Sequence, residues 1–312
     1  DMEFFHKQTK IAFMRTRKVW YALSAVMMVV SIGALVTKGL NFAIDFTGGV
    51  SVEAALPSAA NVEAIRSQLE SAGFHEPQVG IFGSSREVAI RLPPDASQSV
   101  AEIRARVEQA LLAVEPGAEV RKLDVVGPQV GDELRTSAIW ALSFTLLLIF
   151  IYIAFRFHTW RLSAGAIVAV MHDPILVLGI FSVTQTPFDL AVVAAILAVI
   201  GYSLNDTVVI FDRIRERFEH NRRLAPLAVL DQAINQTLSR TIMTKVVTMI
   251  VVVALLFLGG PVLRGFSEAL AIGILAGTYS SIYISSAIAL DAGLTAEHVF
   301  PTVKKSAVDD MP

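Results

Sequence analysis

The residues best placed to do chemistry in this sequence are charged side chains inside long apolar runs. Asp206 interrupts the run "LAVVAAILAVIGYSLNDTVVIF", and His172 and Asp173 interrupt an earlier one. Arg240 and Lys245 lie at the start of a later apolar run. A charge at bilayer depth costs at least about 2.5 to 3.5 kcal/mol, so such residues usually face a protein interior and serve an ion pathway. The pattern therefore indicates a site for ions or protons within a membrane.

Asp206 and Arg240 are expected to form a pair at matched depth. If the helix that carries Asp206 runs toward the cytoplasm and the next helix runs back, both residues lie a few positions from the cytoplasmic ends. Protonation of the carboxylate would then free the arginine and let the helices repack, which predicts proton transport through Asp206 and Arg240. A static buried pair, or an arginine that extends to the lipid headgroups, is the alternative that the residues leave open.

Polar residues near the expected pair define a possible proton path. Tyr202 lies four residues before Asp206 and therefore on the same helix face. Threonines on the next helix form a polar stripe, and Lys245 lies near it. For His172 and Asp173 a structural role is an equal alternative, because the proline that follows them kinks the helix and frees carbonyl groups that polar side chains can satisfy. The candidate neighbours are Asn205, Tyr202, Thr241, Thr244, Lys245, His172 and Asp173.

A row of small residues in the last apolar run predicts close helix packing. Ala269, Gly273, Gly277 and Ser281 recur every four residues. Small side chains allow helix backbones to approach each other in membranes. Gly273 and Gly277 are therefore expected to pack against another helix rather than to take part in chemistry.

The composition indicates that a membrane protein carries these sites. Of the 312 residues, 54% are apolar and only 17% are charged. No basic tract is interleaved with aromatic residues, as nucleic-acid binding would require. The predicted class is a polytopic α-helical protein in a lipid bilayer, without a nucleic-acid partner. Six apolar runs are each close to the roughly 20 residues that span a bilayer, namely 19–37, 137–155, 163–183, 190–211, 242–258 and 266–290.

The distribution of lysine and arginine predicts the orientation of the helices. The N-terminal tail is rich in both residues and the polar segment 212–236 carries five arginines, whereas the short connection "TQTPFD" has neither lysine nor arginine. Basic residues collect on the cytoplasmic side, so both termini are expected there and the long segment after the first helix is expected outside. The expected divisions are a cytoplasmic tail 1–18, a first helix 19–37, an extracytoplasmic domain 38–136, a five-helix bundle 137–290 and a cytoplasmic tail 291–312.

The segment 38–136 has the pattern of a small α+β domain. "GVSVEAAL" and "EVAIRL" alternate as strands do, and "QVGIF" and "AEVRKLDVV" are apolar enough to pair with them. Asn61 is positioned to cap a first helix, and "QSVAEIRARVEQALLAV" repeats the amphipathic pattern. The order strand–helix–strand–strand–helix–strand predicts a ferredoxin-like fold. No catalytic cluster is evident in it, so a binding or mechanical module is expected.

Five motifs distributed along the chain resemble those of one known family. They are "AIDFTGG", "VGPQVGDEL", "GYSLNDTVVIFDRIRE", "NQTLSRTIMT" and "ALAIGILAGTYSSIYI". In this order they are similar to motifs in the SecF members of the SecD/SecF family, which belongs to the RND superfamily of transporters. The resemblance implies an RND-like half with six transmembrane helices and one outer domain, located in the bacterial inner membrane.

The resemblance also implies a function in protein export. A SecF-like subunit acts with SecD, as a separate chain or fused to it, beside the SecY-type channel and YajC. It uses the proton gradient to promote late steps in the movement of unfolded preproteins across the cytoplasmic membrane. The carboxylate of "ND" and the arginine of "SRT" are implicated in proton transport in that family, and they correspond to Asp206 and Arg240. The resemblance implies no cofactor and no enzymatic chemistry.

Lys245 departs from the family pattern, because the family usually has a small hydroxyl residue at this position. A second cation near the polar stripe would favour a deprotonated Asp206. Alternatively, Lys245 replaces part of the role of Arg240, or it takes another partner. The sequence leaves these three alternatives open.

Three other functions are compatible with parts of the sequence. A half-transporter for small molecules would share the helices, although such relatives usually carry two large outer domains. An intramembrane aspartyl protease needs two carboxylates, such as Asp173 and Asp206, but the sequence lacks the expected "YD" and "GxGD" settings. A structural subunit that moves no protons would tolerate a static ion pair.

Overall fold

Helices dominate the computed structural model, which describes residues 9–82, 84–94, 99–157 and 159–300. A 3-10 turn at Met14–Thr16 precedes the first helix, and a π-helical segment at Ser280–Ser285 joins the ninth helix to the tenth. The strands are β1 (Gly49–Ala55), β2 (Gln78–Phe82), β3 (Ser84–Leu92) and β4 (Glu119–Val126). The helices are α1 (Arg17–Thr37), α2 (Ile44–Thr47), α3 (Val62–Ser71), α4 (Val100–Val114), α5 (Pro128–Arg156), α6 (Trp160–Thr184), α7 (Leu190–His220), α8 (Pro226–Leu258), α9 (Gly260–Tyr279), α10 (Ser286–Asp291) and α11 (Ala296–Val299).

Six helical stretches among the described residues are long and apolar enough to cross a membrane. Each contains one of the six apolar runs, so the prediction of six helices with the length and composition of membrane spans is confirmed. The last stretch joins α9, the π-helical segment and α10 into one span. The six are Met14–Thr37, Pro128–Arg156, Trp160–Thr184, Leu190–His220, Pro226–Leu258 and Leu263–Asp291.

Several of these helices continue beyond their apolar parts. α5 begins at Pro128, so residues 128–136, which were expected to belong to the outer domain, are already helical. Proline suits the first position of a helix, because its fixed φ is helical and its missing amide has no partner there in any case. An apolar window detects only the lipid-facing length of such a helix. Of the two expected tails, residues 1–8 and 301–312 lie outside the described part of the chain.

Three of the spans form the centre of the bundle. In α6, α7 and the last span, 56%, 56% and 61% of the most apolar window is buried. The corresponding fractions for α1, α5 and α8 are 11%, 6% and 17%, so these helices present their apolar residues outward. Asp173, Ser203 and Asp206 lie on the central helices.

The small sheet is antiparallel, and its strands have the spatial order β2-β3-β1-β4. The elements follow the predicted chain order β1-α3-β2-β3-α4-β4. Val52 of β1 lies opposite Ile90 of β3, and both side chains are fully buried. Asn61 caps α3 by accepting a hydrogen bond from the Ala64 amide, and Ser99 caps α4 in the same way. The local signals in this segment therefore agree with the observed elements.

The segment "AIDFTGG" connects the sheet to the membrane helices. Asp45 in α2 accepts a hydrogen bond of 3.0 Å from the Leu190 amide at the start of α7. Asp189 is the N-cap residue of the same helix, and burial raises the pKa of its carboxyl group. Gly48 and Gly49 have φ values of +69° and +118°, which residues with side chains rarely adopt. The two glycines therefore permit the turn from α2 into β1.

Candidate functional site

An ion pair between Asp206 of α7 and Lys245 of α8 is buried within the bundle. Lys245 Nζ lies 2.6 Å from Asp206 Oδ2, and the two residues are only 6% and 5% exposed, respectively. Among the described residues, neither atom has a further hydrogen-bond partner. Buried ion pairs offset their desolvation only when further hydrogen bonds satisfy the remaining polar groups. Attraction between the charges therefore holds this pair, which makes it sensitive to the gain or loss of a proton.

The predicted pairing of Asp206 with Arg240 was wrong. Arg240 is exposed, although its charge still acts on Asp206 over a longer distance. Arg217 Nε donates to Gln236 Oε1 at 2.9 Å, which helps to set the register between α7 and α8. In this register Lys245 reaches the depth of Asp206. Arg240 lies about 7.5 Å closer to the start of α8 and about 140° around its axis.

The residues predicted to neighbour the pair have different environments. Lys245 Nζ lies 4.0 Å from the centre of the Tyr202 ring, in a cation–π contact. The Tyr202 hydroxyl donates to the Thr244 carbonyl at 3.0 Å, and the Thr244 hydroxyl donates to the Thr241 carbonyl at 3.0 Å. Thr241 is buried, whereas Asn205 is exposed. Tyr202 is thus the neighbour in contact with the pair, while the Thr244 hydroxyl bonds to its own helix.

A second buried polar cluster surrounds His172 and Asp173 of α6. His172 Nδ1 lies 2.9 Å from Asp173 Oδ1, and His172 Nε2 lies 2.8 Å from the Ser24 hydroxyl of α1. Asp173 Oδ2 accepts hydrogen bonds from Ser203 of α7 and from Ser280 of the π-helical segment, the latter at 2.8 Å. Asp173 is fully buried, and His172 is 3% exposed. Hydroxyl groups from three other parts of the chain therefore converge on this pair.

Some residues of these clusters were not among the predicted site residues. Ser24 and Ser280 are far from His172 and Asp173 in the sequence, so their spacing gives no indication of contact. The serine-rich run "SSIYISS" within an apolar stretch was an available signal, since polar side chains inside membrane helices usually face the protein interior. Asp45 was quoted within a motif, but its contact with α7 depends on how α2 packs.

Gly273 and Gly277 lie where α9 packs against α7. A Cβ atom at position 273 would overlap the side chain of Val199. A Cβ atom at position 277 would lie 3.0 Å from Ser203 Cβ and 3.4 Å from Asp173 Oδ2. The missing side chains therefore allow the close approach expected of small residues. At Gly277 this approach also brings α9 against the His172–Asp173 cluster.

The chemistry available to both clusters is proton exchange. Carboxylates and imidazoles gain and lose protons near neutral pH when burial and neighbouring charges shift their equilibria. Among the described residues, no group of three or more histidine, cysteine, aspartate or glutamate side chains could hold a metal ion. Ionisable residues inside membrane helices commonly serve proton relays in pumps and transporters. The fold and the buried charges thus define a polytopic membrane protein of the transporter class.

Comparison with known proteins identifies the family. A family model described as "Protein export membrane protein SecD/SecF, C-terminal" matches residues 106–295, and the "SecD/SecF GG Motif" model matches residues 33–56. The protein translocase subunit SecF of Haemophilus influenzae is 46% identical over 96% of this chain and 91% of its own length. SecF of Vibrio alginolyticus is 45% identical over 97% of both chains. The chain therefore belongs to the SecD/SecF family, and the predicted role in Sec protein export is confirmed.

Solved structures agree with this assignment. The crystal structure of SecDF, a translocon-associated membrane protein from Thermus thermophilus, matches with a TM-score of 0.84 and 38% sequence identity. The match covers 93% of this chain and 39% of the longer SecDF chain. SecDF in a super-membrane-facing form matches with a TM-score of 0.68 over the same shares. These relatives are transport components, in agreement with the prediction of a translocation subunit.

Proposed function

We propose that this chain uses the proton gradient to promote late steps of preprotein export, with Asp206 as the proton-accepting residue. Lys245 is the counter-ion that holds Asp206 in its charged form. Protonation of Asp206 removes the attraction between the two side chains. The α7–α8 contact then loses an ion pair and repacks, as bistable helix contacts do when a charge changes.

The buried Asp206–Lys245 pair is the observation that carries this proposal. Its atoms are 2.6 Å apart and lack other hydrogen-bond partners among the described residues. A pair that served stability alone would gain from additional hydrogen bonds, because desolvation of two charges costs several kcal/mol per ion. Its location on helices that are long enough to span a membrane supports a role in proton transport rather than in surface recognition.

Exposed polar residues on α7 and α8 support a partner of the SecD type. Asn205, Arg240 and Thr244 are exposed in this chain, although they lie within apolar spans. Polar side chains at membrane depth normally face a protein or a water-filled cavity, because contact with lipid is costly. A second half-transporter on this face, in a separate or fused SecD chain, covers them. Arg240 then acts at the contact between the halves, within electrostatic range of Asp206.

The proposed arrangement places the sheet domain outside the inner membrane and both termini in the cytoplasm. The distribution of lysine and arginine supports this orientation. The βαββαβ order and the strand order β2-β3-β1-β4 support a ferredoxin-like fold for that domain. It contacts the emerging unfolded preprotein, while the helices adjoin the SecY-type channel and YajC. The junction at Asp45 and Asp189 links helix movement to this domain.

Precursor export into inverted membrane vesicles tests the proposal. The vesicles carry this chain with its SecD partner, and export is measured with and without a proton gradient. Asp206→Asn should lose the gradient-dependent part of export and keep the remainder. Asp212→Asn is a matched control, since Asp212 lies on the same helix and pairs with Arg156 in a partly exposed position. If Asp206→Asn responds to the gradient as the unsubstituted chain does, the proposal is wrong and the pair is structural.

A further inference from the structure

The two buried clusters together carry one more negative charge than positive charge. With a neutral imidazole, Asp206 and Asp173 carry negative charge and Lys245 carries the compensating positive charge. Asp173 also acts electrostatically on Lys245, so the clusters are close enough to influence each other. An uncompensated charge is unfavourable in a buried, apolar environment. The combined site therefore favours the uptake of one proton.

His172 can accept this proton without losing a hydrogen bond. In the neutral form, Nδ1–H donates to Asp173 and Nε2 accepts from the Ser24 hydroxyl, at distances of 2.9 and 2.8 Å. In the charged form, both ring nitrogens donate, and Ser24 becomes the acceptor, because a hydroxyl group can play either part. Full burial of the ring would penalise the charge if it were alone, but the Asp173 carboxylate lies in contact with it.

Asp173 is a hydrogen-bond acceptor for side chains from two other parts of the chain. It accepts hydrogen bonds from Ser203 and Ser280 in addition to its contact with His172. Hydrogen bonds to the charged form of a carboxyl group favour that form. The proton is thus expected on the imidazole, with Asp173 as its stabilising anion.

Ser203 connects this pair to Asp206. It lies on α7 three residues before Asp206, and residues at this spacing share a helix face. Its hydroxyl group bonds to Asp173, so one turn of α7 links the two carboxylates. The ring of Tyr279 from α9 lies 5.7 Å from the His172 ring. The groups in contact with the His172–Asp173 pair, called the dyad below, are Ser24 of α1, Ser203 of α7, Tyr279 of α9 and Ser280 of the π-helical segment. Lys245 of α8, which pairs with Asp206 of α7, interacts with Asp173 electrostatically.

We propose that the His172–Asp173 dyad is a second binding site for the proton taken up at Asp206. The inference rests on the proposed function. The combined site holds one transferable proton, which resides either on Asp206 or on His172. When His172 holds it, the Asp206–Lys245 pair is intact and the dyad is a neutral ion pair. When Asp206 holds it, His172 is neutral and Lys245 is balanced by Asp173.

The dyad also couples the proton to α1. In passing from neutral to charged His172, the Ser24 hydroxyl turns from donor to acceptor while Nε2 gains the proton. α1 is otherwise little buried, and it leads directly to α2 and the sheet domain. A change in the hydrogen bond of Ser24 can therefore be transmitted through α1 to the sheet domain, which moves in the proposed function.

The first test compares His172→Asn with Asp206→Asn in the vesicle export assay. Asparagine keeps a donor near the position of Nδ1 but cannot gain a proton. We expect His172→Asn to lose the gradient-dependent part of export and to keep the gradient-independent part. His220→Asn is the matched control, because His220 is exposed at the end of α7. A His172→Asn chain that responds fully to the gradient, or that loses both parts of export equally, overturns the inference.

A second measurement does not depend on export by the variant. Nitrogen-15 NMR of the histidine-labelled chain in lipid bilayers follows the ring of His172, whose signal is assigned by its absence from His172→Asn. We expect this signal to show the protonated ring in a fraction of the chains, because the dyad and Asp206 share one proton. Asp206→Asn removes a negative charge from the combined site, so at the same pH the fraction of chains with a protonated ring should decrease.

The outcomes separate the two proposals. A His172 signal that shows only the neutral ring, or a protonated fraction unaffected by Asp206→Asn, refutes the second proton-binding site. If Asp206→Asn still loses gradient-dependent export in that case, the proposed function survives alone. If export by the Asp206→Asn chain responds fully to the gradient, both the proposed function and the second proton-binding site, which rests on it, are refuted.

Discussion

Replacement of Lys245 with methionine is the perturbation whose effect the structure defines best. Methionine has a similar length and no charge, so the substitution removes the cation and retains much of the packing volume. Asp206 would remain buried with neither its ion-pair partner nor, among the described residues, a hydrogen bond to the atom that faced it. An uncompensated buried carboxylate is strongly unfavourable. The folded chain should therefore lose stability.

The size of this loss follows from the geometry. At the separation of 2.6 Å and an effective dielectric constant near 20, the attraction between the two charges is about 6 kcal/mol. The expected loss of stability is smaller than this attraction, because the methionine, unlike lysine, has no charge that must be removed from water on folding. Removal of one partner from a buried pair costs about 3–5 kcal/mol. In a thermal unfolding experiment this corresponds to a decrease on the order of 10 °C.

Thermal unfolding of the purified chain in detergent can test this value. Arg240→Met is the matched control on the same helix, and we expect a change within about 0.5 kcal/mol because Arg240 is exposed. The double variant Asp206→Asn with Lys245→Met should recover most of the loss, since neither position of the pair then carries a charge. Equal effects of Lys245→Met and Arg240→Met, or no recovery in the double variant, would refute the assignment of Lys245 as the counter-ion.

Two further predictions concern helix packing and the sheet domain. Gly273→Ala should destabilise the chain by about 1–3 kcal/mol, because its Cβ atom would overlap Val199. Gly201→Ala on α7, where nothing lies within 4 Å of a Cβ atom, should be neutral or stabilising in the same thermal assay. Burial raises the pKa of Glu53 in β1, so its contribution to stability is present at low pH and lost as the pH rises through the raised value. Glu53→Gln should therefore slow proteolysis of the sheet domain at about pH 8 and have little effect at about pH 4, whereas equal cleavage at pH 8 would contradict this reasoning.

The sequence by itself determined the elements and the presence of a buried charge. The six apolar runs have the length and composition of membrane helices, and these are local properties that packing did not change. The same holds for the sheet domain, where Asn61 caps α3 as its position indicates. The burial of Asp206 inside the protein, away from lipid, also follows from its place in an apolar run. These features depend on neighbouring residues in the chain, so the sequence was sufficient.

The tertiary structure decided which groups meet. The choice of Lys245 over Arg240 depends on the register between α7 and α8 and on the direction of each side chain around α8. A shift of five residues moves a side chain about 7.5 Å along a helix and about 140° around it. The hydroxyl groups on Asp173 likewise come from separate helices, and no local spacing relates them. Matching the distances of two residues from their helix ends does not fix such contacts, because the packing of whole helices sets both register and rotation.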